Sequence, residues 1–177
     1  MKSLIITGKT NSGKSTIAKE LEKRGLTRII PYTTRPLRRN EKDGSDYHFI
    51  TIEEFDKKEH EGFFAETASY NASFGFCKYG SSKEDYKDNF VAVLSPSGIK
   101  QINLKELNVL VVYLDIEEDE LRMRALLRGD TASEIERRLA ADRLDFREIN
   151  KFAVKIDCNK LTSSQIADNI IYLLKQP

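Results

Sequence analysis

Gly8-Lys9-Thr10-Asn11-Ser12-Gly13-Lys14-Ser15-Thr16 is the stretch that decides the fold of this chain. It matches G-x-x-x-x-G-K-[ST] at every specified position. Ser3 to Thr7 reads as a short buried strand ending at the first glycine. Thr16 to Lys23 reads as a helix with Ile17, Ala18 and Leu21 on its apolar side. Strand, glycine-rich turn and helix in that order aim backbone N–H groups at one point beside a helix N-terminus. Those donors and the helix dipole stabilise a polyphosphate. Gly8 and Gly13 allow a close backbone approach that side chains would block. Lys14 is placed to reach the β- and γ-phosphates, and the Ser15 hydroxyl to ligate Mg²⁺. The nine residues are therefore expected to hold ATP or a similar triphosphate. The motif leaves open what becomes of the phosphate.

Working outward, the chain has 177 residues, enough for one domain with a full apolar core. Alternating strand and helix signals predict an α/β class: a three-layer phosphate-loop fold with a mostly parallel central sheet. Lys and Arg number 29 and Asp and Glu 28, a net charge of +1. No global field draws such a chain to nucleic acid or a membrane surface. Cys77 and Cys158 form no C-x-x-C pair, so no metal site or disulfide framework is expected, and a reducing cytoplasm is the default location. The apolar run after Met1-Lys2 is too short for a signal peptide, and none reaches the ~20 residues that span a bilayer.

Thr27 to Ile30 is a predicted second strand. The segment from Pro31 to Phe49 is polar and broken by Pro and Gly, so it reads as loop with short extended pieces. Arg35, Arg38 and Arg39 fall within it. A solvated basic loop would account for them. So would a second phosphate site, because arginine suits bidentate phosphate recognition.

Thr33-Thr34-Arg35-Pro36-x-Arg38-x-x-Glu41-x-x-Gly44-x-Asp46-Tyr47-x-Phe49 resembles the signature of the guanylate kinase family. With the phosphate loop, the resemblance covers most of the chain. It implies that Arg35, Arg38 and Tyr47 hold an acceptor phosphate and that Glu41 braces the arginines. It implies that Glu66, in Phe63-Phe64-Ala65-Glu66-Thr67, accepts from the guanine edge, where two adjacent donors suit one carboxylate. Tyr79-Gly80-Ser81 resembles the family's Tyr-Gly-Ser/Thr, with Tyr79 on the acceptor phosphate and Ser81 near the base. The gap from Glu66 to Tyr79 is longer than the family's, and Phe74-Gly75 is a rival alignment that lacks the hydroxyl. Serines 95 and 97 stand where the family has aspartates after a strand, and Pro31 stands near a base-reading serine.

Thr51-x-x-Glu54 predicts a capped helix from Ile52 to about Glu61. Phe90 to Leu94 and Val109 to Leu114 are predicted core strands. Asp115 closes the second of these strands; it could serve a metal-bound water, but reads better as an acid just before a helix from Glu118 to Leu127. Gly129-Asp130-Thr131 breaks that helix, and Ser133-x-x-Glu136 is a capping box for the next. By resemblance this helix–break–helix is a lid in which Arg124, Arg128 and Arg138 close over the phosphates, with Arg137 an equal alternative to Arg138. The same charges, interleaved with Glu134, Glu136, Asp142 and Asp145, would also suit an ordinary solvated helix. Asn159 matches a family asparagine near the donor adenine. Ala153 to Ile156 is a predicted last strand and Ser163 to Lys175 a closing helix.

The expectation is one guanylate kinase-like domain, residues 1–177. Its core is about residues 1–31, 89–123 and 139–177, its acceptor-binding region about 32–88 and its lid about 124–138. It is expected to transfer the γ-phosphoryl of ATP, with Mg²⁺, to GMP or dGMP, as a monomer or homodimer. Another (deoxy)nucleotide or ribose 1,5-bisphosphate remains an alternative acceptor, and a non-catalytic nucleotide-binding module a further one.

Overall fold

The computed structural model describes every residue except Met1, Ser73, Phe74 and Pro177. The rival alignment through Phe74 thus lies partly outside the described residues. The chain runs β1 (Ser3–Gly8), α1 (Lys14–Glu22), β2 (Thr27–Arg28), β3 (Tyr32–Thr33), β4 (His48–Phe49) and α2 (Ile52–His60). It continues through β5 (Phe64–Ala72), β6 (Gly75–Ser82), β7 (Phe90–Val93), α3 (Pro96–Gln101) and β8 (Val109–Asp115). The last elements are α4 (Glu118–Leu127), α5 (Ala132–Asp145), β9 (Val154–Asp157) and α6 (Ser163–Leu174).

The larger sheet has strand order β2-β7-β1-β8-β9, and each of its pairings is parallel. Parallel strands need crossovers, and crossover elements cover both faces, which is why β1, β7 and β8 read as continuous apolar runs. Period-2 alternation sorts their side chains. Leu4, Ile6, Val112 and Leu114 pack with residues of α1, α4, α5 and α6, while Ile5, Ala92 and Val111 pack with Ile99 of α3 on the other face. The order reverses at β1, so a cleft opens beyond the carboxyl ends of β1 and β7, where ligands of such sheets bind.

The smaller sheet, β4-β3-β6-β5, holds the antiparallel β5–β6 hairpin. Its register opposes Glu66 to Ser81 after an irregularity between Phe64 and Glu66. Such a bulge re-aims the side chains that follow it. The long gap from Glu66 to Tyr79 is taken up by this hairpin, which lengthens both strands together and keeps Tyr79-Gly80-Ser81 opposite Glu66-Thr67-Ala68.

Several boundaries differ from the sequence expectations. The first helix starts at Lys14, because Gly13 in the left-handed region (φ 85°) turns the chain directly into it. The helix after the break is capped by Thr131, whose Oγ1 accepts from Glu134 N, and not by Ser133, which lies inside the first turn. Both residues head an S/T-x-x-E pattern; Gly129, at φ 89°, ends the preceding turn early enough for the first to win. Asp115 closes β8, as expected, and pairs with Lys155 Nζ at 2.7 Å, while Glu117 takes the N-cap position of α4. The short α3 was not expected at all. Ser95 caps it through Gly98 N at 3.2 Å, with Pro96 in its first turn. Among the described residues no helix is long and apolar enough to cross a membrane.

Candidate functional site

A cavity of about 710 Å³ lies at the cleft. Gly8, Thr10, Lys14 and Ser15 of the first loop line it, as do Arg35, Arg38, Glu41, Tyr47, Glu66 and Tyr79 of the smaller sheet and its loops. Arg128, Arg137 and Arg138 line it from α4 and α5. The two clusters that the sequence marks as candidate phosphate holders therefore face one space.

On the first side, Lys14 Nζ is held by Gly8 O at 2.7 Å, Lys9 O at 2.9 Å and Ser12 Oγ at 3.4 Å. Burial lowers its pKa to about 8, against the pull of Asp142 and with a small push from Arg128. Ser12 is buried under the loop, and Ser15 and Thr16 are exposed at the start of α1. Lys9 turns away from the cavity to Glu118 Oε1 at 2.9 Å. Asn11 takes a positive φ of 66° to make the turn. A residue not singled out from the sequence enters here. Asp142 of α5 accepts from Thr10 N at 2.7 Å. Its carboxyl pKa is raised by burial, with the Thr10 amide and Lys14 opposing.

On the second side, Arg35 is buried, 4% exposed, and donates to both oxygens of Glu41, Nη1 at 2.7 Å and Nη2 at 2.5 Å. Burial alone would lower the Arg35 pKa, but the Glu41 bonds outweigh it and hold the guanidinium above its ordinary range. Glu41 is the converse: burial would raise it, and Arg35 holds it below the usual carboxylate range. Glu41 also accepts from Arg38 N at 3.0 Å. The Arg35 guanidinium lies 4.8 Å from the Tyr47 ring centroid, and Tyr47 packs edge-on against Tyr79 at 5.9 Å. Arg38 is left with its charge disfavoured by burial and by the nearby Arg35 and Arg128. A dianion arriving here would relieve all three.

Glu66 is 6% exposed. Its Oε1 accepts from Ser81 Oγ at 2.7 Å, and burial raises its pKa against that bond. A Cβ on Gly98 would stand 2.8 Å from Oε2, so only glycine lets α3 come this close. Gln101 fixes the approach by bonding Thr67 N at 3.0 Å and Thr67 O at 2.7 Å.

The arginines of α4 and α5 are held by acids. Arg128 pairs with Asp130. Arg138 Nε bonds Glu134 at 2.7 Å, and Arg137 Nε bonds the same carboxylate at 2.8 Å. The pair pulls Glu134 down to about 2, Arg137 first. Arg124 and Asn159 do not join the cavity wall, nor do Lys9, Asn11, Ser12, Gly13, Thr16 and Ser81. Arg124 Nε bonds Glu120 at 2.8 Å, and its Nη1 lies beside Gly13. Asn159 accepts from Glu117 N at 3.1 Å, in the turn after β9.

Comparison with known proteins gives a consistent answer. The family model described as guanylate kinase matches residues 1–170. A guanylate kinase of Bdellovibrio bacteriovorus is 30% identical over 159 residues, 86% of this chain and 86% of that one. One of Nitratidesulfovibrio vulgaris is 33% identical over 159 residues, 84% of this chain and 75% of its own. The crystal structure of guanylate kinase from Anaplasma phagocytophilum superposes with a TM-score of 0.75 over 98% of this chain and 84% of that one, at 23% identity, a likeness of fold. The chain belongs to the guanylate kinase family.

Proposed function

We propose that this protein transfers the γ-phosphoryl group of ATP to GMP or dGMP. The observation that carries the proposal is the meeting of Lys14 with Arg35 and Arg38 around one cavity that Glu66 also lines. In this reading residues 8–16 hold the ATP polyphosphate. Arg35, Arg38, Tyr47 and Tyr79 hold the acceptor phosphate, and Glu41 fixes Arg35. Glu66 accepts from two guanine donors through the oxygen that Ser81 leaves free. Residues 32–88 form the acceptor-binding region, and residues 124–138 a lid carrying Arg128 and Arg138 toward the transferring group.

The acceptor phosphate is already an anion, so no side-chain base is needed. Catalysis is positioning plus charge neutralisation. Lys14 and the arginines offset the repulsion between two anions brought together. Closure of the lid would exclude the water that otherwise hydrolyses the donor.

The residues present fit Mg²⁺. Among the described residues no group of three or more His, Cys, Asp or Glu gathers into a cage. Ser15 offers one hydroxyl beside the phosphate seat, which suits an ion that takes most of its ligands from phosphates and water. When bound with ATP, the ion would neutralise charge on the β- and γ-phosphates.

A second reading keeps the chemistry and changes the acceptor. Pro31 lines the cavity without a side-chain donor, and the hydroxyls of Ser95 and Ser97 bond each other at 2.9 Å where a carboxylate would bring fixed charge. Steady-state turnover with GMP, dGMP, AMP, UMP, dTMP and ribose 1,5-bisphosphate, each with and without Mg²⁺, separates the two. GMP and dGMP should lead. A higher kcat/KM for any other acceptor would establish the second reading. ADP formation that persists in Lys14→Ala would count against both.

A further inference from the structure

Ser81 Oγ touches two groups. It bonds Glu66 Oε1 at 2.7 Å and Tyr86 Oη at 2.8 Å. A serine hydroxyl has one proton to give. A carboxylate that is to accept from a base must be ionised and can only accept, so that proton belongs to Glu66. The Tyr86 O–H must then donate to Ser81 Oγ. Every proton in the chain Tyr86–Ser81–Glu66 points toward the carboxylate.

The local fold builds this contact. Ser82 caps a short turn over Lys83–Asp85, and Tyr86 N closes the turn on Lys83 O at 3.3 Å. The chain doubles back, and the Tyr86 ring packs edge-on against Phe90 at 5.1 Å. Among the described residues Glu66 has no ionic partner, although it is nearly inaccessible to water. The titratable groups facing it are Tyr86 and Tyr70 of its own strand; α3 presents Gly98. A buried carboxylate without a cation needs hydrogen bonds to keep its charge. A lysine or arginine beside it would stabilise that charge but would compete with the incoming base. Hydroxyl donors on one oxygen leave the other free.

We propose that Tyr86 is a positioning residue for acceptor recognition, acting through Ser81 to fix the orientation and ionisation of Glu66. The inference rests on the proposed role of Glu66 and adds a residue that touches neither substrate. It makes the acceptor pocket sensitive to a side chain outside the cavity wall.

Tyr86→Phe keeps the ring on Phe90 and removes only the donor, and two readouts test it. The first needs no substrate: the Glu66 carboxyl is titrated by ¹³C NMR in the ligand-free protein, assigned by its loss in Glu66→Gln. It should titrate at higher pH in Tyr86→Phe than in the wild type. The second is kinetic. KM for GMP should rise about three- to tenfold, one lost hydrogen bond's worth, with kcat and the KM for ATP within about twofold. Ser81→Ala should act in the same direction, and the double variant should be no worse than Ser81→Ala, since Tyr86 acts only through Ser81. An unchanged Glu66 titration in Tyr86→Phe, or additive losses in the double variant, would overturn the inference. A wild type that ignores GMP would overturn the proposed reaction instead, while the titration would still decide the role of Tyr86.

Discussion

The carboxylate of Asp142 sits on the backbone N–H of Thr10 at 2.7 Å, so the phosphate loop already has an anion of its own. Lys14 lies within the field of the same carboxylate. A polyphosphate entering the loop would meet a like charge on α5, the helix that also carries Arg137 and Arg138. A phosphate that takes the Thr10 N–H must displace the Asp142 carboxylate from it.

Removing that charge should therefore help ATP. In Asp142→Asn the ATP Kd should fall roughly three- to tenfold, since a neutral amide oxygen competes less well than a carboxylate for the Thr10 N–H. Titration calorimetry with ATP measures it. Weaker binding in the variant would mean that Asp142 assists the nucleotide.

Lys14 gives a pH signature. Burial leaves it titrating at about 8 in the free protein, and a bound polyphosphate must raise that value. Below the free value both states carry the proton and binding takes up none at this group. Above it the free amine is neutral and binding takes up a proton, so affinity should fall by up to about tenfold per pH unit. Calorimetry at about pH 9 in buffers of different ionisation enthalpy should show net proton uptake that Lys14→Met abolishes. Identical heats in all buffers would contradict this.

The Arg35–Glu41 pair should matter for stability as well as binding. Arg35 is buried and Glu41 is its bidentate acceptor. Glu41→Gln leaves the guanidinium without its anion, a loss of about 3–5 kcal/mol where such pairs are well buried. The Glu41 pKa is depressed in the folded state, so its contribution is full above the ordinary carboxylate range and vanishes as pH falls through the lower folded value. The gap in Tm between wild type and variant should be widest near neutrality and close below about pH 4. A gap independent of pH would place the loss elsewhere.

Gly98→Ala should impair the acceptor selectively. Its new Cβ would press on Glu66 Oε2 from 2.8 Å. The carboxylate must shift, raising KM for GMP on the order of tenfold with little change in KM for ATP. Equal losses for both substrates would point to damage of the sheet.

Much of this was legible in the residues. The glycine turn, the apolar strands β1, β7 and β8, and the Thr51 cap are set by local chemistry, and each formed close to where the pattern puts it. Arg35, Arg38, Glu41 and Tyr47 were singled out by the resemblance that their motif carries, and all four line the one cavity. Asp142 and Tyr86 were not. Asp142 is one acid among many on a charged helix, and only the packing of α5 against the loop singles it out. Tyr86 depends on a turn of three residues after β6. α3 was hidden because Pro and Gly in Ser95-Pro96-Ser97-Gly98 read as punctuation, although proline suits a first helical turn. Arg124 shows the reverse case: its spacing from Arg128 puts both on one helix face, but it bonds Glu120 and does not line the cavity.

The central claim is that one cleft joins an ATP-holding loop to a guanine-reading carboxylate. The measurement that tests it most directly is kcat/KM for GMP in wild type and Glu66→Gln, with the KM for ATP determined alongside. The expected result is GMP phosphorylation by the wild type, a loss of about 100-fold or more in the variant, and an ATP KM unchanged within about twofold. A variant that phosphorylates GMP as well as the wild type does would contradict it.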